Sequence, residues 1–164
     1  MSSELQYRPL TEQEVAFLEE MFYQALFVRP GEEPYPREII RHPELQKYYT
    51  AWGSRKHDLA IVVEKDQQLI GAVWGRQFSA EFPGYGFIDE QTPEVTIAIQ
   101  PEFRGQGIGQ ALLEQIEAAY LQVGISTLSL SVDQLSPAIR LYLRCGYAIY
   151  EEAGTAYTMR KVIH

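Results

Sequence analysis

The chain has 164 residues, of which 46% are hydrophobic and 22% charged, with a formal net charge of −8 and one cysteine. That is the size of one domain with room for a sizeable core, so residues 1–164 are read as a single unit. No apolar run approaches the roughly 20 residues of a membrane span, the acidic balance argues against a nucleic-acid surface, and a lone Cys145 rules out an internal disulfide.

The start, Met-Ser-Ser-Glu-Leu-Gln-Tyr, lacks the basic and apolar regions of a secretion signal, and a cytoplasmic location is expected. Leu5 to Leu10 reads as a short strand. Thr11-Glu-Gln-Glu14 is a capping box, and Val15, Leu18, Met21, Phe22, Ala25 and Leu26 then recur at helical spacing. Arg29 to Pro36 breaks that helix. A second helical region is expected over 37–52, interrupted at Pro43, with Tyr48, Tyr49 and Trp52 as core or as a lid. Asp58–Glu64 and Leu69–Gln77 read as an antiparallel hairpin turned at Asp66-Gln67. A long loop over 79–92, rich in aromatics and acids, follows. Then come strand 93–100, helix 106–123, strand 126–132, helix 136–144 and strands 146–151 and 155–163.

The stretch Val95-Thr-Ile-Ala-Ile-Gln-Pro-Glu-Phe-Arg-Gly-Gln-Gly-Ile-Gly-Gln110 carries most of the chemistry. A strand stops at Pro101 and a glycine-rich turn opens into an amphipathic helix. Gly105, Gly107 and Gly109 lack the Cβ atoms that would hold a ligand off the backbone. The first helical turn adds unpaired N–H groups and the positive end of a dipole, and Arg104 adds a charge. Phosphate groups dock on such a turn. A P-loop would end in Gly-Lys-Ser/Thr, whereas here Gly109 leads into Gln110-Ala111. A dinucleotide fingerprint would space its glycines G-x-G-x-x-G.

Arg104-x-x-Gly107-x-Gly109 after an apolar strand resembles the coenzyme-A pyrophosphate loop of the GNAT superfamily of N-acetyltransferases. About 40 residues later, Ser136-Pro-Ala-Ile-Arg-Leu-Tyr142-Leu-Arg-Cys-Gly146-Tyr147 resembles the second signature of that superfamily. There a short helix carries a tyrosine and ends at Gly-Phe or Gly-Tyr. Ser136 can cap this helix, Pro137 suits its first position and Gly146 ends it. The family often has Asn where Ser136 or Leu135 stands here, so the serine hydroxyl would replace that amide.

The resemblance implies an α/β fold: a mostly antiparallel twisted sheet of six to seven strands, with one splayed parallel pair, flanked by about four helices. It implies acetyl-CoA as cofactor, with the backbone of Ile97, Ala98 and Ile99 pairing the pantetheine arm. The pyrophosphate would lie on Gly105, Gln106, Gly107, Ile108, Gly109 and Gln110, with Ser136 and Ala138 as further contacts. The family often forms homodimers, although no feature of this sequence identifies an interface.

Acetyl transfer from a thioester needs a neutral amine, an oxyanion donor and a stabilised leaving thiolate. An amine with a pKa near 10.4 is neutral in roughly one molecule per 2,500 at pH 7, so a general base is required. Glu94 is the base expected, with Glu90 and Asp89 as rivals. It shares a strand face with Thr96 and Ala98, while Val95, Ile97 and Ile99 share the other. Tyr142 is the expected general acid, its phenol giving a proton to the thiolate. Trp74, Tyr85, Phe87, Asp89 and Glu90 are expected around the acceptor, a small-molecule or peptide primary amine, where the acidic loop would favour a cation. His42, His57 and His164 are scattered, and no metal site is expected. The alternative to an enzyme is a non-catalytic acyl-CoA-binding or sensing module on the same fold.

Overall fold

The computed structural model describes residues 4–164; the first three residues of the opening stretch lie outside it. Seven strands form one sheet: β1 (Leu5–Pro9), β2 (Leu59–Lys65), β3 (Gln68–Arg76), β4 (Glu94–Ile99), β5 (Thr127–Asp133), β6 (Ala148–Ala153) and β7 (Ala156–Val162). Their order is β1-β2-β3-β4-β5-β7-β6. Every neighbouring pair is antiparallel except β4 and β5. The four α-helices are α1 (Val15–Ala25), α2 (Pro43–Gln46), α3 (Ile108–Gln122) and α4 (Ala138–Arg144).

The local signals explain most of these elements. Glu14 accepts the Thr11 N–H at 2.9 Å, which closes the capping box ahead of α1. Asp66 and Gln67 take φ values of 53° and 65°, the left-handed pair that lets a two-residue turn follow the twist of β2 and β3. Ser136 Oγ accepts the Ala138 N–H at 3.2 Å, and Gly146 leaves α4 at φ 94°. The region over 37–52 is less helical than its periodicity suggests. A 3-10 turn at Arg37–Arg41 ends before Pro43, and α2 lasts four residues before giving way to turns. Proline at the first helical position restarts the chain without extending the earlier turn.

The sheet buries both faces. On one, Ile108, Leu112, Leu113, Ile116 and Tyr120 of α3 pack on Ile61, Val63, Val73 and Val95. On the other, Leu18, Met21 and Phe22 of α1 pack with Tyr48 and Tyr49 on Val62, Ala72, Trp74 and Ala98. β2, inside the sheet, is therefore an almost continuous apolar run. The alternation expected for β4 holds, with Val95 on the α3 side and Ala98 on the α1 side.

The parallel pair is joined at one point. Glu94 lies opposite Ser129, whose N–H donates to Pro93 O at 3.0 Å, and beyond that step no ladder continues. β5 keeps a full antiparallel register with β7, from Thr127 opposite Val162 to Asp133 opposite Ala156. The split thus leaves backbone groups of β4 facing an opening between the two strands.

Candidate active site

A cavity of about 1120 Å³ runs along that opening. Its walls come from the end of α1 and the chain after it (Tyr23 to Val28, Pro34, Tyr35), β4 (Ile97, Ala98, Ile99), the turn and first residues of α3 (Arg104, Gly105, Gly107 to Gln110), the end of β5 (Ser131 to Asp133) and α4 with its cap (Ser136 to Ala138, Arg140, Tyr142). Gln106, expected with these residues, does not line it. Gly105 and Gly107 take φ values of 78° and 83°, and a Cβ built on either would meet nothing within 4 Å. Their requirement is conformational, because a left-handed turn turns the chain into α3 with its N–H groups facing outward. Gly109 differs. A Cβ there would stand 2.9 Å from Leu141 Cδ2, so this glycine lets α3 and α4 approach one another. The first helical bond into the turn is Ala111 N–H to Gly107 O, which leaves the preceding N–H groups at the cavity wall.

Strand register corrects one expectation. Gln100 N–H donates to Ile70 O. With Ala98 opposite Ala72, the alternation of an antiparallel pair turns the N–H and C=O of Ala98 toward β3. Ala98 therefore has no backbone group to offer in the gap, whereas Ile97 and Ile99 face it. Arg104 engages the Ile99 carbonyl through Nε at 3.0 Å and reaches Gln24 O at 3.4 Å, tying the end of β4 to the end of α1.

A second cavity, about 170 Å³, opens from the first. Five residues line both: Ala25, Leu26, Ile97, Ser131 and Tyr142. Glu94 lies in the second cavity and is 4% exposed. Its Oε2 accepts the Tyr48 hydroxyl at 2.6 Å and its Oε1 accepts the Gly86 N–H at 3.0 Å. Burial pushes its pKa up to about 7, opposed by these two hydrogen bonds and by Lys47. A carboxylate with that pKa is half ionised at neutral pH. Across the cavity, burial raises the Tyr142 phenol to about 12, so it stays protonated. Among the described residues its hydroxyl takes no hydrogen-bond partner, and its ring meets Tyr147 edge-on at 6.2 Å.

The long loop contributes differently from expectation. Tyr85, 54% exposed, stands at the cavity and stacks on Tyr48 with centroids 6.4 Å apart. Trp74 does not line the cavity. It is 1% exposed, and its indole N–H donates to Tyr48 O at 3.0 Å, supporting Tyr48 from within the core. Phe87 packs half-buried against the same core. Asp89 accepts the N–H groups of Gln91 and Thr92, and Glu90 accepts that of Ala80. These two acids fold the loop on itself and line neither cavity, so they attract no cation to it. The charge behind the aromatics is instead a cation of the chain. Lys47 Nζ donates to Glu44 at 2.8 Å and Pro83 O at 2.7 Å, and it lies 4.8 Å from the centroid of the Tyr85 ring.

Sequence reading missed three features of this site. The Tyr48 hydroxyl both donates to Glu94 and accepts the Tyr85 N–H at 2.7 Å, joining strand, loop and helical segment. Gly84 and Gly86 let the loop backbone lie on the site: a Cβ at Gly84 would reach 2.1 Å from Glu94 Oε1, and one at Gly86 2.7 Å from the Leu130 carbonyl carbon. The Gly-Tyr-Gly doublet was the available signal for such a close approach. Arg76 pairs with Asp58 at 2.9 Å, both 1% exposed, and donates to Lys47 O and Thr50 O, which anchors the segment carrying Tyr48.

A mixed seven-stranded sheet split at its one parallel pair, with a glycine turn and helix N-terminus at the split, is the arrangement of the GNAT fold. The family model for the GNAT acetyltransferases matches residues 18–147, and the chain belongs to that family. A solved structure of the PaiA N-acetyltransferase of Thermoplasma acidophilum, in complex with coenzyme A, is 18% identical; the match covers 97% of this chain and 99% of that one, with a TM-score of 0.72. The putative acetyltransferase YncA of Salmonella typhimurium, solved with its cofactor acetyl-CoA, is 15% identical over 99% of this chain and 95% of that one, with a TM-score of 0.67. A ribosomal-protein-alanine N-acetyltransferase from Brucella melitensis is 17% identical over 96% and 99% of the two chains, with a TM-score of 0.65. Comparison with curated proteins gave no match. No described helix is long and apolar enough to cross a membrane.

Proposed function

We propose that the chain is an acetyl-CoA-dependent N-acetyltransferase that acts on a primary amine by direct attack, with Glu94 as base and Tyr142 at the leaving sulfur. The observation that carries this reading is the meeting of the two cavities at Ile97, Ser131 and Tyr142, with Glu94 in the smaller one. The larger cavity has the glycine turn, the free helix N–H groups and the split strand that a pantetheine phosphate chain requires. Gly105, Gly107 and Ile108 to Gln110 would hold the pyrophosphate. Ile97 and Ile99 would pair the arm, and Ser136, which still has a hydroxyl proton to donate, would take the place of the family's Asn.

Bound acetyl-CoA supplies the acetyl thioester, and in the transfer a new N–C bond replaces the C–S bond. Glu94, half ionised near neutral pH, accepts the proton that the amine sheds. The Ile97 N–H, turned into the gap by strand register, is the donor available to the carbonyl oxygen as its charge develops. The role of Tyr142 is narrower than that of a simple acid. Moving a proton from a phenol at about 12 to a thiolate of pKa about 8.5 is uphill by roughly 5 kcal/mol. Tyr142 therefore donates a hydrogen bond to the departing sulfur. The ammonium's first proton passes through Glu94 to bulk water before attack, and the second, shed by nitrogen as the N–C bond forms, is taken by Glu94 and reaches the thiolate through water. Atoms and charge then balance.

The test is thiol release from acetyl-CoA in the presence of a panel of primary amines. Amine-dependent release, lost in Glu94→Gln without loss of acetyl-CoA binding, supports the reading. Binding of acetyl-CoA with no release for any amine would assign the chain to acyl-CoA sensing instead.

A further inference from the structure

Resting on the acetyl-transfer reading, we infer that the acceptor is a small monoamine with an apolar or aromatic body, and that polyamines and other polycations are rejected. Four observations carry this. The acceptor cavity is about 170 Å³, while an apolar cavity of about 150 Å³ holds a benzene ring. Phe22, Ala25, Leu26, Leu45, Val95 and Ile97 form an apolar part of its wall, and Tyr48, Tyr85 and Tyr142 add aromatic rings. Among its lining residues Glu94 is the one charged side chain, and its two oxygens are already held by Tyr48 and Gly86.

The fourth observation is Lys47. Its ammonium lies behind the tyrosines of the cavity wall, 4.8 Å from the Tyr85 centroid and 5.9 Å from that of Tyr48, and 4.9 Å from Phe82. The aromatic cage that would otherwise receive a substrate cation is thus filled by this chain's own lysine. Glu94 has to take a proton from the attacking amine, so it cannot also serve as a fixed counter-ion. A second ammonium on the acceptor would lose its water with no carboxylate in the cavity wall free to replace it, because the nearby Glu44 is already paired with Lys47 at 2.8 Å and lies outside the wall. A methyl group or a phenyl ring in that place meets matching walls.

The experiment compares acceptors of one shape. Hexylamine and 1,5-diaminopentane differ in having a methyl or an ammonium at the far end. Phenethylamine, spermidine and a lysine-containing peptide complete the set. Thiol release by the intact protein should give kcat/KM for hexylamine and phenethylamine at least about tenfold above that for the diamine, the price of one unpaired ammonium being 1.4 kcal/mol or more. Leu45→Glu, at a partly exposed wall position, should reverse the order of hexylamine and 1,5-diaminopentane by placing a carboxylate at the far end. A misfolded variant would lose both activities together, and the wild-type ratio then decides. Preference of the wild type for the diamine, spermidine or the peptide overturns this inference and leaves acetyl transfer standing. Absence of release with every amine overturns both.

Discussion

The two cavities are built by different means. The cofactor cavity draws its functional groups largely from one stretch, 97–144, and largely from main chain: strand groups freed by the split, N–H groups at the start of α3, and two left-handed glycines. The acceptor cavity is assembled from α1, α2 and the segment after it, the long loop, β4, β5 and α4, and nearly all its chemistry is side chain. Main-chain groups recognise what every acetyl-CoA presents, a phosphate chain and an amide arm. In the proposed reading, side chains from distant segments would recognise what differs between acceptors.

Substitutions that strike one cavity and spare the other test this division. The largest effect is expected for Glu94→Gln, which should lower kcat by about 10²- to 10⁴-fold, the usual contribution of a general base. Acetyl-CoA affinity, measured by calorimetry, should stay unchanged. The wild-type acidic limb of kcat/KM, near pH 7, should vanish with the carboxylate. An intact limb would move the base elsewhere. The same residue should mark stability. Its pKa is raised by folding from 4.5 to about 7, so the stabilisation it gives is fully present below 4.5 and is lost as pH rises to about 7. Wild type should lose about 3 kcal/mol of unfolding free energy over that interval relative to Glu94→Gln, as read from urea melts.

Tyr142→Phe stands at the junction and should lower kcat by roughly 10- to 100-fold, the worth of one hydrogen bond to a charged group. A thioester with a more acidic thiol should narrow the gap between the two proteins, because its sulfur needs less help. Gly107→Ala acts on the cofactor side alone. A Cβ in the left-handed region costs about 1–2 kcal/mol, so acetyl-CoA binding should weaken by about tenfold while the acidic limb stays in place. Should the limb move as well, the two cavities are not independent.

Tyr48→Phe is the mirror case, with the smallest expected effect. Removing the hydroxyl takes from Glu94 a hydrogen bond that holds its pKa down. The acidic limb should shift to higher pH, and stability should fall by about 1 kcal/mol, with acetyl-CoA affinity unaltered. A downward shift of the limb would contradict the assigned hydrogen bond.

The sequence by itself determined the sheet and the helices other than those of region 37–52, the glycine turn, the cap and stop of α4, and hence the family and its cofactor. Those features depend on contiguous residues: an alternating strand, glycines at left-handed positions, Ser-Pro before a helix and Gly after it. Glu94 and Tyr142 stood out in the sequence, one from its strand face and one from its motif, and both line the smaller cavity. The tertiary structure decided what surrounds them. Ala98 turns its backbone to β3 because of a register set by Gly71 to Arg76, which no local pattern of β4 encodes. Trp74 serves the core because the packing of α1 on the sheet covers it, and the acids of the long loop are consumed by the loop's own N–H groups. The hydrogen bond of Tyr48 to Glu94 spans 46 residues, and Lys47 reaches Pro83 across 36. Contacts over such separations exist only once the sheet has brought the segments together, and that is why the cofactor was readable from the sequence and the shape and charge of the acceptor site were not.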